Sequence, residues 1–334
     1  MAGASTSTAP ILRAVPGAAR RDGYATYAWV VLGVNLLVIL WGAFVRASGS
    51  GAGCGSHWPL CNGEVVPRAP ALETMIEFGH RLSSGLALLC IVGLVVAAWR
   101  RYPSGHRVRF AALLAALFIV SEALIGAGLV LLQHVARDTS VARAYWVGGH
   151  LTNTFLLVGA LTLTAWWASG GAPLRLRQHG WLTAIFALAL GSVLLLGVSG
   201  AVTALGDTLF PVATLAEGTA LTFSDTAHLF VRLRRWHPAL AIGVGVWLGV
   251  TALTAVRAHP APIVRRFATA LLALYAAQLG LGALNVMLLA PVGVQLAHLL
   301  LSDLIWIGAV LLAASSLAAD STPGRAQPEW RAVS

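Results

Sequence analysis

Long apolar stretches separated by short polar loops make up most of the sequence. Each stretch holds about 20 residues, the length at which an α-helix crosses the hydrocarbon core of a bilayer. The stretches show little of the alternation between apolar and polar positions that marks the strands of a membrane barrel. We therefore predict eight membrane-spanning helices, at about residues 27–47, 75–99, 110–133, 146–168, 181–204, 237–256, 267–289 and 295–315.

The composition agrees with a membrane protein and excludes an ordinary soluble domain. Of the 334 residues, 58% are hydrophobic and 10% are charged, whereas about 25% of the residues of soluble domains are charged. The net charge of +10 comes from arginines between the apolar stretches, and no basic domain with interleaved aromatic residues is present. The predicted fold class is an all-α integral membrane protein, surrounded by the lipid bilayer and without a nucleic-acid partner.

Arginines concentrate in alternate loops, and this sets the predicted orientation. Basic residues flank the cytoplasmic ends of membrane helices, so we expect these loops and both termini in the cytoplasm. Because the chain has no lysine and is rich in alanine and arginine, we favour a bacterial plasma membrane over a mitochondrial inner membrane. The arginines on this side are Arg13, Arg20, Arg21, Arg100, Arg101, Arg107, Arg109, Arg175, Arg177, Arg257, Arg265 and Arg266.

The outer loop 205–235 is the main exception to this distribution of charge. It carries Arg232, Arg234 and Arg235 together on the side that the rule leaves poor in basic residues. Charges placed in this way are expected to have local anionic partners.

The two halves of the chain resemble each other. The segment 42–45 (Gly-Ala-Phe-Val) of the first span matches 200–203 (Gly-Ala-Val-Thr) of the fifth, and 122–127 of the third span matches 278–283 of the seventh. Because each half has four spans, both halves enter the membrane in the same orientation. We predict two pseudo-symmetric four-helix bundles. The expected units are a disordered cytoplasmic tail at 1–24, an N-terminal bundle at 25–170, a C-terminal bundle at 171–318 and a cytoplasmic tail at 319–334.

Four histidines open alternate spans, two in each half: His80, His150, His237 and His298. A histidine in hydrocarbon is costly and therefore usually has a partner or a function. Two imidazoles from different helices of a four-helix bundle are a common way to hold haem iron. All four are expected in the first one or two turns of their helices, at similar depth near the outer face. The pattern predicts two haem sites, one in each bundle, against the alternative that the histidines only hydrogen-bond between helices.

Arginines near the outer face are candidate partners for haem propionates. They are Arg46, Arg81, Arg232, Arg234 and Arg235. The alternative for each is that the guanidinium extends to the membrane interface while its stem stays in apolar surroundings.

The first outer loop contains two cysteines, Cys54 and Cys61. Two nearby thiols on the oxidising side of a membrane indicate a disulfide or a redox-active pair. A metal site that adds His57 to the two cysteines is a further alternative, although it lacks a clear fourth ligand.

Glu77 lies three residues before His80, so the two side chains share a helix face. A carboxylate beside a haem ligand is a candidate proton acceptor, and a salt bridge to Arg81 is the alternative. No acidic residue precedes His237 in the same way. This asymmetry indicates that the two sites have diverged, one for chemistry and the other for electron transfer or stability.

Together these motifs resemble the haem A synthase family. The resemblance covers about residues 27–315 and rests on the glycine-rich run 45–53, the loop Cys54…Trp58-Pro59-Leu60-Cys61, the motif Glu77-x-x-His80-Arg81 and the later histidines. Members of that family oxidise the C8 methyl of haem O to the formyl group of haem A, which terminal oxidases use. The resemblance implies a membrane oxidoreductase with haem O as substrate, haem A as product and haem b as cofactor.

The resemblance also assigns roles to individual residues. The expected catalytic site around haem O consists of Glu77, His80 and His150. The expected iron ligands of haem b are His237 and His298. The expected outer-face disulfide joins Cys54 and Cys61. The expected propionate contacts are Arg46, Arg81 and Arg235.

Two positions depart from the pattern of the family. Pro238 follows His237 where an arginine like Arg81 is expected, so a propionate partner has to come from elsewhere. The segment 55–57 (Gly-Ser-His) stands where many relatives carry an acidic residue, which leaves this loop without one. The expected partners are haem O synthase (protohaem farnesyltransferase) as substrate donor and an electron-transfer protein, and a homo-oligomer is one alternative for the assembly.

Two other functions fit parts of the sequence. A membrane di-haem b-type electron-transfer protein, similar to a quinone oxidoreductase, shares the paired histidines but needs neither the cysteine loop nor Glu77. A transporter with internal repeats would have charged residues at mid-membrane, and Glu122 and Asp303 are the candidates. Because Glu122 aligns with Gln278, we favour hydrogen bonding between helices for both acids.

Overall fold

The structure is a computed structural model that describes residues 23–318. The predicted tails at 1–24 and 319–334 lie outside this range, except for residues 23 and 24, which begin the first helix. Three arginines of the predicted cytoplasmic side lie outside it as well: Arg13, Arg20 and Arg21.

Ten α-helices and no β-strand form between residues 23 and 318. They are α1 (Gly23–Ala47), α2 (Leu72–Arg101), α3 (Arg107–Leu131), α4 (Val141–Ala168), α5 (Gly180–Leu209), α6 (Leu215–Thr222), α7 (Leu229–Leu233), α8 (Trp236–Ala258), α9 (Pro262–Met287) and α10 (Val292–Ser316). Eight segments of this range are long and apolar enough to cross a membrane, with α7 and α8 counted together as Leu229–Ala258. The predicted fold class, an all-α membrane protein with eight spans, is confirmed.

The loop after α5 contains two short helices that the hydropathy pattern does not predict, α6 and α7. The Thr214 hydroxyl caps α6 by accepting from the Glu217 N–H, and the Glu217 carboxylate accepts from the Ala213 N–H. A threonine followed three residues later by a glutamate is a known signal for the start of a helix. With 8 residues, α6 is far too short to cross a bilayer, and for this reason the hydropathy pattern does not reveal it.

The long helices pack in two closed rings. In the first ring α1 contacts α2, α2 contacts α3, α3 contacts α4, and α4 returns to α1. In the second ring α5, α8, α9 and α10 are connected in the same cyclic way. The rings meet where α4 packs against α5 and α10 and where α1 contacts α10. This packing is compatible with the predicted pair of four-helix bundles, and it places α2 and α4, and likewise α8 and α10, at opposite corners of a ring.

Two sets of contacts join the rings. Trp306 of α10 stacks on Phe155 of α4 with the ring centroids 5.4 Å apart, and its indole N–H donates to the Phe155 carbonyl at 2.6 Å. At the end that carries the histidines, the Arg46 guanidinium of α1 donates to the Thr208 hydroxyl at 2.9 Å and to the Gln295 side-chain oxygen at 3.1 Å. Membrane helices associate through such packing and interhelical hydrogen bonds, because lipid provides no hydrophobic driving force between them. These contacts therefore set how the two histidine pairs lie relative to each other.

Candidate functional site

Each of the four histidines packs against a glycine of a neighbouring helix. The pairs are His80 with Gly42 of α1, His150 with Gly126 of α3, His237 with Gly200 of α5, and His298 with Gly282 of α9. A methyl group on these glycines would lie 2.8, 4.0, 3.0 and 3.2 Å, in that order, from the Cε1 atom of the imidazole. Carbon atoms in ordinary contact are about 3.5–4.0 Å apart, so a methyl group would force the imidazole of His80 to move and would crowd those of His237 and His298.

A repeated dipeptide is the sequence signal for these contacts. An alanine follows each of the four glycines, and each Gly-Ala dipeptide lies on the long helix that precedes its histidine in the chain. In the sequence these segments show only that the two halves are related. The structure adds that their glycines are the seats of the imidazoles, which sequence reasoning missed.

The histidines come together as the two predicted pairs. The imidazoles of His80 and His150 lie close enough for their charges to interact, and so do those of His237 and His298. The prediction that all four lie in the first one or two turns is wrong for His80 and His150, which lie in the third turn of α2 and α4. Both helices begin several residues before their apolar spans, because polar residues continue the helix beyond the hydrocarbon region.

The Nδ1 atoms of the four rings face different groups. Nδ1 of His237 lies 2.8 Å from the Ser199 hydroxyl oxygen, and Nδ1 of His150 lies 3.3 Å from Oε1 of Glu122. Within residues 23–318 no hydrogen-bond partner reaches the buried Nδ1 atoms of His80 and His298. The contacts of His237 and His150 favour a proton on Nδ1, and a neutral imidazole protonated there has Nε2 available to a metal.

A disulfide between Cys54 and Cys61 closes the loop between α1 and α2, and both cysteines are fully buried. The disulfide is one of the alternatives that the sequence leaves open for this loop. The metal site that would combine these cysteines with His57 is wrong, because the sulfurs are bonded to each other. In the part of the chain that the structure describes, no cluster of three or more His, Cys, Asp or Glu side chains is placed to hold a metal ion.

Glu77 braces this loop against the start of α2. Glu77 is 4% exposed. Its carboxylate accepts a hydrogen bond from the Cys54 N–H at 2.9 Å and forms an ion pair with the Arg81 guanidinium at 2.5 Å. The Arg81 guanidinium also donates to the carbonyls of His57 and Leu60, at 2.7 and 2.6 Å. The salt bridge that the sequence offers as the alternative role of Glu77 is therefore present, and it ties the disulfide loop to the helix that carries the first histidine.

The three arginines predicted to contact propionates differ in their surroundings. Arg46 donates to groups of α5 and α10, and Arg81 donates to Glu77 and to the disulfide loop. The buried Nε of Arg235 has no hydrogen-bond partner within residues 23–318, and its guanidinium lies 5.4 Å from the centre of the Trp236 ring. Arg235 is thus the one whose buried donor lacks a protein acceptor, while propionate binding stays a prediction for all three.

The other arginines of the outer loop 205–235 have anionic neighbours. Arg234 pairs with Asp207 at 2.8 Å, and Arg232 lies 3.6 Å from Asp225. The local anionic partners expected for this loop are therefore present for both residues.

A short loop before α4 fixes the start of the helix that carries His150. Asp138 accepts from the N–H and the hydroxyl of Ser140, each at 2.8 Å, and lies 2.8 Å from Nδ1 of His134. The Ser140 hydroxyl caps α4 by accepting from the Arg143 N–H at 3.2 Å. Although burial opposes ionisation, the hydrogen bonds from Ser140 and His134 hold the pKa of Asp138 below its usual range.

The two intramembrane acids behave differently. Glu122 accepts from Thr154 and, at 2.6 Å, from Asn153, both on α4. The hydrogen bonding between helices predicted for Glu122 is thus present. For Asp303 the same prediction is wrong, because its fully buried carboxylate finds no hydrogen-bond partner in the described range.

Comparison with known proteins identifies the family of the chain. The model of the cytochrome oxidase assembly protein family, COX15-CtaA, matches residues 25–310. The chain belongs to this family. A Thermus thermophilus protein named "Protoheme IX farnesyltransferase" is 52% identical over 293 residues, which are 88% of this chain and 48% of that protein. The chain therefore spans about half the length of this relative.

Relatives named "Heme A synthase" match over a shorter region. The Halalkalibacterium halodurans protein is 45% identical over 95 residues, 28% of this chain and 32% of that protein. The Bacillus cereus (strain AH187) protein is also 45% identical over 95 residues, which cover 28% of this chain and 30% of that protein. The resemblance to the haem A synthase family that the motifs indicate is confirmed.

Replacing Arg81 by methionine should release the disulfide loop, because the buried Glu77 carboxylate would lose its counter-charge. Removing one partner of a buried ion pair costs about 3 kcal/mol, or roughly a hundredfold in the equilibrium for local opening. Hydrogen exchange of residues 48–71 in the detergent-solubilised protein measures that opening. The matched control is Arg68→Met in the same loop, since Arg68 lies 4.0 Å from Glu64 and its side chain is 91% exposed. The control should change protection only a few-fold, and equal protection in Arg81→Met and wild type would show that the pair does not brace the loop.

Proposed function

We propose that the chain is a haem A synthase, which oxidises the C8 methyl group of haem O to the formyl group of haem A for terminal oxidase biogenesis. The observation that carries this proposal is the two histidine pairs at opposite corners of two helix rings, with each imidazole seated on a glycine. Membership of the cytochrome oxidase assembly protein family and the relatives named "Heme A synthase" support the same reaction. The proposed location is a bacterial plasma membrane with both termini in the cytoplasm, which the distribution of arginines supports.

The donor set fits haem iron. Neutral imidazole nitrogen is a common ligand of haem iron, and the two histidines of each pair would hold it. Each ring of helices carries one imidazole on each of two helices at opposite corners, and Nε2 of an imidazole protonated on Nδ1 would bind the metal.

The two pairs have different roles in this proposal. His80 and His150 flank the substrate haem O, and His237 and His298 hold haem b, which supplies electron-transfer chemistry when bound. The disulfide loop leads into the helix of His80, and the buried Glu77 that holds this loop lies three residues before His80. The sequence before His237 has no acid in the corresponding position, and this supports a catalytic first site and a second site for electrons.

Glu77 is the proposed acid–base group of the first site. Oxidation of a methyl to a formyl group replaces C–H bonds by bonds to oxygen, so the site needs a group at its edge that can exchange protons. The Glu77 carboxylate is buried one helical turn from His80, and Arg81 compensates its charge. A proton taken up by this carboxylate can pass to the outer loop that the Glu77–Arg81 pair supports.

Propionate contacts are proposed for Arg46, Arg81 and Arg235. Arg235 fits this role best, because its buried Nε lacks a protein acceptor within the described residues. Arg46 and Arg81 already donate to protein groups, so each would add a propionate to the contacts that it makes.

The proposed substrate donor is protohaem farnesyltransferase, the haem O synthase. The Thermus relative carries that name, and the match with this chain covers 48% of its length, which supports a link between the two reactions. The second proposed partner is an electron-transfer protein.

Haem extraction from whole cells tests the proposed reaction. The chain is expressed with haem O synthase in a bacterium that makes haem B but no haem A, and the extract is analysed by chromatography and mass spectrometry. Haem A is expected only when both proteins are present. Bound haem without any haem A would instead indicate the di-haem b-type electron carrier, and a purified protein without haem absorbance would indicate a transporter.

In the same assay Glu77→Gln should lower haem A formation about a hundredfold, the usual contribution of a positioned acid–base group. Bound haem b should not change, because its proposed ligands lie in the other ring. The glutamine keeps an acceptor oxygen for the Cys54 N–H and removes only the charge. The matched control is Glu73→Gln, which changes an exposed acid in the first turn of the same helix and should leave turnover as in wild type. Hydrogen exchange of residues 48–71 shows whether Glu77→Gln opens the loop, and a loss of turnover together with loop opening would assign Glu77 a structural role only. Unchanged turnover in Glu77→Gln would end the acid–base assignment.

Gly42→Ala should weaken haem binding at the first site, because its methyl group would lie 2.8 Å from Cε1 of His80 and force the imidazole to move. Overpacking of this kind costs about 1–3 kcal/mol, so the haem O retained per protein should fall about tenfold. The control is Gly33→Ala on the same helix, whose added methyl meets no atom within 4 Å. Haem retention that is the same in both variants would show that the glycine seat does not position His80.

A further inference from the structure

One buried carboxylate distinguishes the first histidine pair from the second. Glu122 of α3 lies four residues before Gly126, on which His150 packs, so it faces the same imidazole. Its Oε1 atom is 3.3 Å from Nδ1 of His150, an ion-pair contact rather than an aligned hydrogen bond, and its side chain is 18% exposed. This Nδ1 has no hydrogen-bond partner within residues 23–318. The Glu122 carboxylate is the acceptor that a small rotation of the imidazole would bring into hydrogen-bond geometry.

Two residues of α4 hold this carboxylate in place. Thr154 donates to Oε1 of Glu122, and the Asn153 amide donates to Oε2 at 2.6 Å. Asn153 is itself fixed, because its amide donates to the Phe118 carbonyl at 2.8 Å and its oxygen accepts from Ser121 at 2.6 Å. Both carboxylate oxygens are thus positioned by protein donors, and the orientation of Glu122 does not depend on the histidine.

The second ring has a neutral residue at the equivalent position. Gln278 donates to the His298 carbonyl at 3.1 Å and to the Ser302 hydroxyl at 2.7 Å, while its own oxygen and Nδ1 of His298 have no hydrogen-bond partner in the described range. The remaining imidazole, that of His237, faces the Ser199 hydroxyl. Neither imidazole of the second pair therefore contacts an acidic side chain within residues 23–318.

We propose that Glu122 is a positioning residue that makes His150 the more electron-donating iron ligand and so lowers the reduction potential of the haem at the first site. The proposal rests on the proposed function, which places haem iron between His80 and His150. A carboxylate next to the N–H of a ligating imidazole fixes its tautomer and ring orientation and increases electron donation from the opposite nitrogen. Stronger axial donation stabilises the ferric state over the ferrous state. Because Gln278 carries no charge, the second site lacks this effect.

The decisive variant is Glu122→Gln, which keeps the shape of the side chain and removes its charge. The full-length protein is purified from cells that supply haem B and haem O, and both haems are followed by ferric electron paramagnetic resonance and by potentiometric titration. Signals that His150→Ala abolishes belong to the first site, and those that His298→Ala abolishes belong to the second. In Glu122→Gln the first-site potential should move in the positive direction and its g values should change, while the second-site signals stay as in wild type.

Two further variants make the result specific. Gln278→Ala is the matched control, because Gln278 holds the aligned position without contacting Nδ1 of His298, and it should leave the first-site signals unchanged. Glu122→Asp keeps the charge and should hold the first-site potential closer to wild type than Glu122→Gln does. A first site that loses its haem in Glu122→Gln and regains it in Glu122→Asp would also support the proposal.

Unchanged first-site potential and g values in Glu122→Gln, with haem bound, would overturn the proposal and leave Glu122 as a contact between helices. The proposed function itself would be overturned if the wild-type protein, supplied with both haems, showed no haem signal that depends on His150.

Discussion

The close approach of an imidazole to a glycine is the contact on which this architecture depends. A histidine in a membrane has to be enclosed by protein, and here each imidazole lies against a glycine of a neighbouring helix, closely enough in three of the four cases that an added methyl group would crowd it. The contact determines which helices are neighbours, since α1 has to pack on α2, α3 on α4, α5 on α8, and α9 on α10. Four such contacts, repeated in two halves of one chain, produce two rings with a histidine at each of two opposite corners.

The two rings share this plan and differ in the polar groups around it. The first ring carries the disulfide loop, held by the Glu77–Arg81 pair, and the carboxylate of Glu122 behind His150. The second ring carries Gln278 and Ser199 near its histidines and a loop with two short helices above them. Among the residues described, an acidic side chain thus contacts one of these four imidazoles in the first pair only. A duplicated scaffold with one charged and one neutral site is suited to a division between substrate chemistry and electron transfer, as we propose.

The two rings are joined by an aromatic contact in the interior and by hydrogen bonds of an arginine nearer the histidines. The Phe155–Trp306 stack lies in the interior of the molecule, and the hydrogen bonds of Arg46 lie near the ends that carry the histidines. α4 carries His150 of the first pair, α10 carries His298 of the second, and the two helices also pack against each other at the junction. A change of packing between α4 and α10 would therefore move both sites together. The separation between the two proposed haem positions is therefore a property of the helix contacts rather than of flexible loops.

Several features of the protein were determined by the sequence alone. Hydropathy and length give the eight spans, the internal repeat gives the relation between the halves, and the position of four histidines at the starts of alternate spans gives the two pairs. The resemblance carried by the Cys54–Cys61 loop and the Glu77-x-x-His80 motif gives the family. These are properties of local pattern, which hydrocarbon enforces strictly because backbone groups have to be satisfied within each helix.

Only the tertiary structure decided the partner of each polar side chain. Arg46 reaches residues that are about 160 and 250 positions away in the chain, Glu77 reaches the backbone of a preceding loop, and Asp303 has no partner among the residues described. The glycine seats are of the same kind, since Gly42 and His80 belong to different helices and local periodicity does not relate them. Such contacts depend on how the rings close and on where each helix begins, and the one-dimensional pattern of apolar and polar residues contains neither.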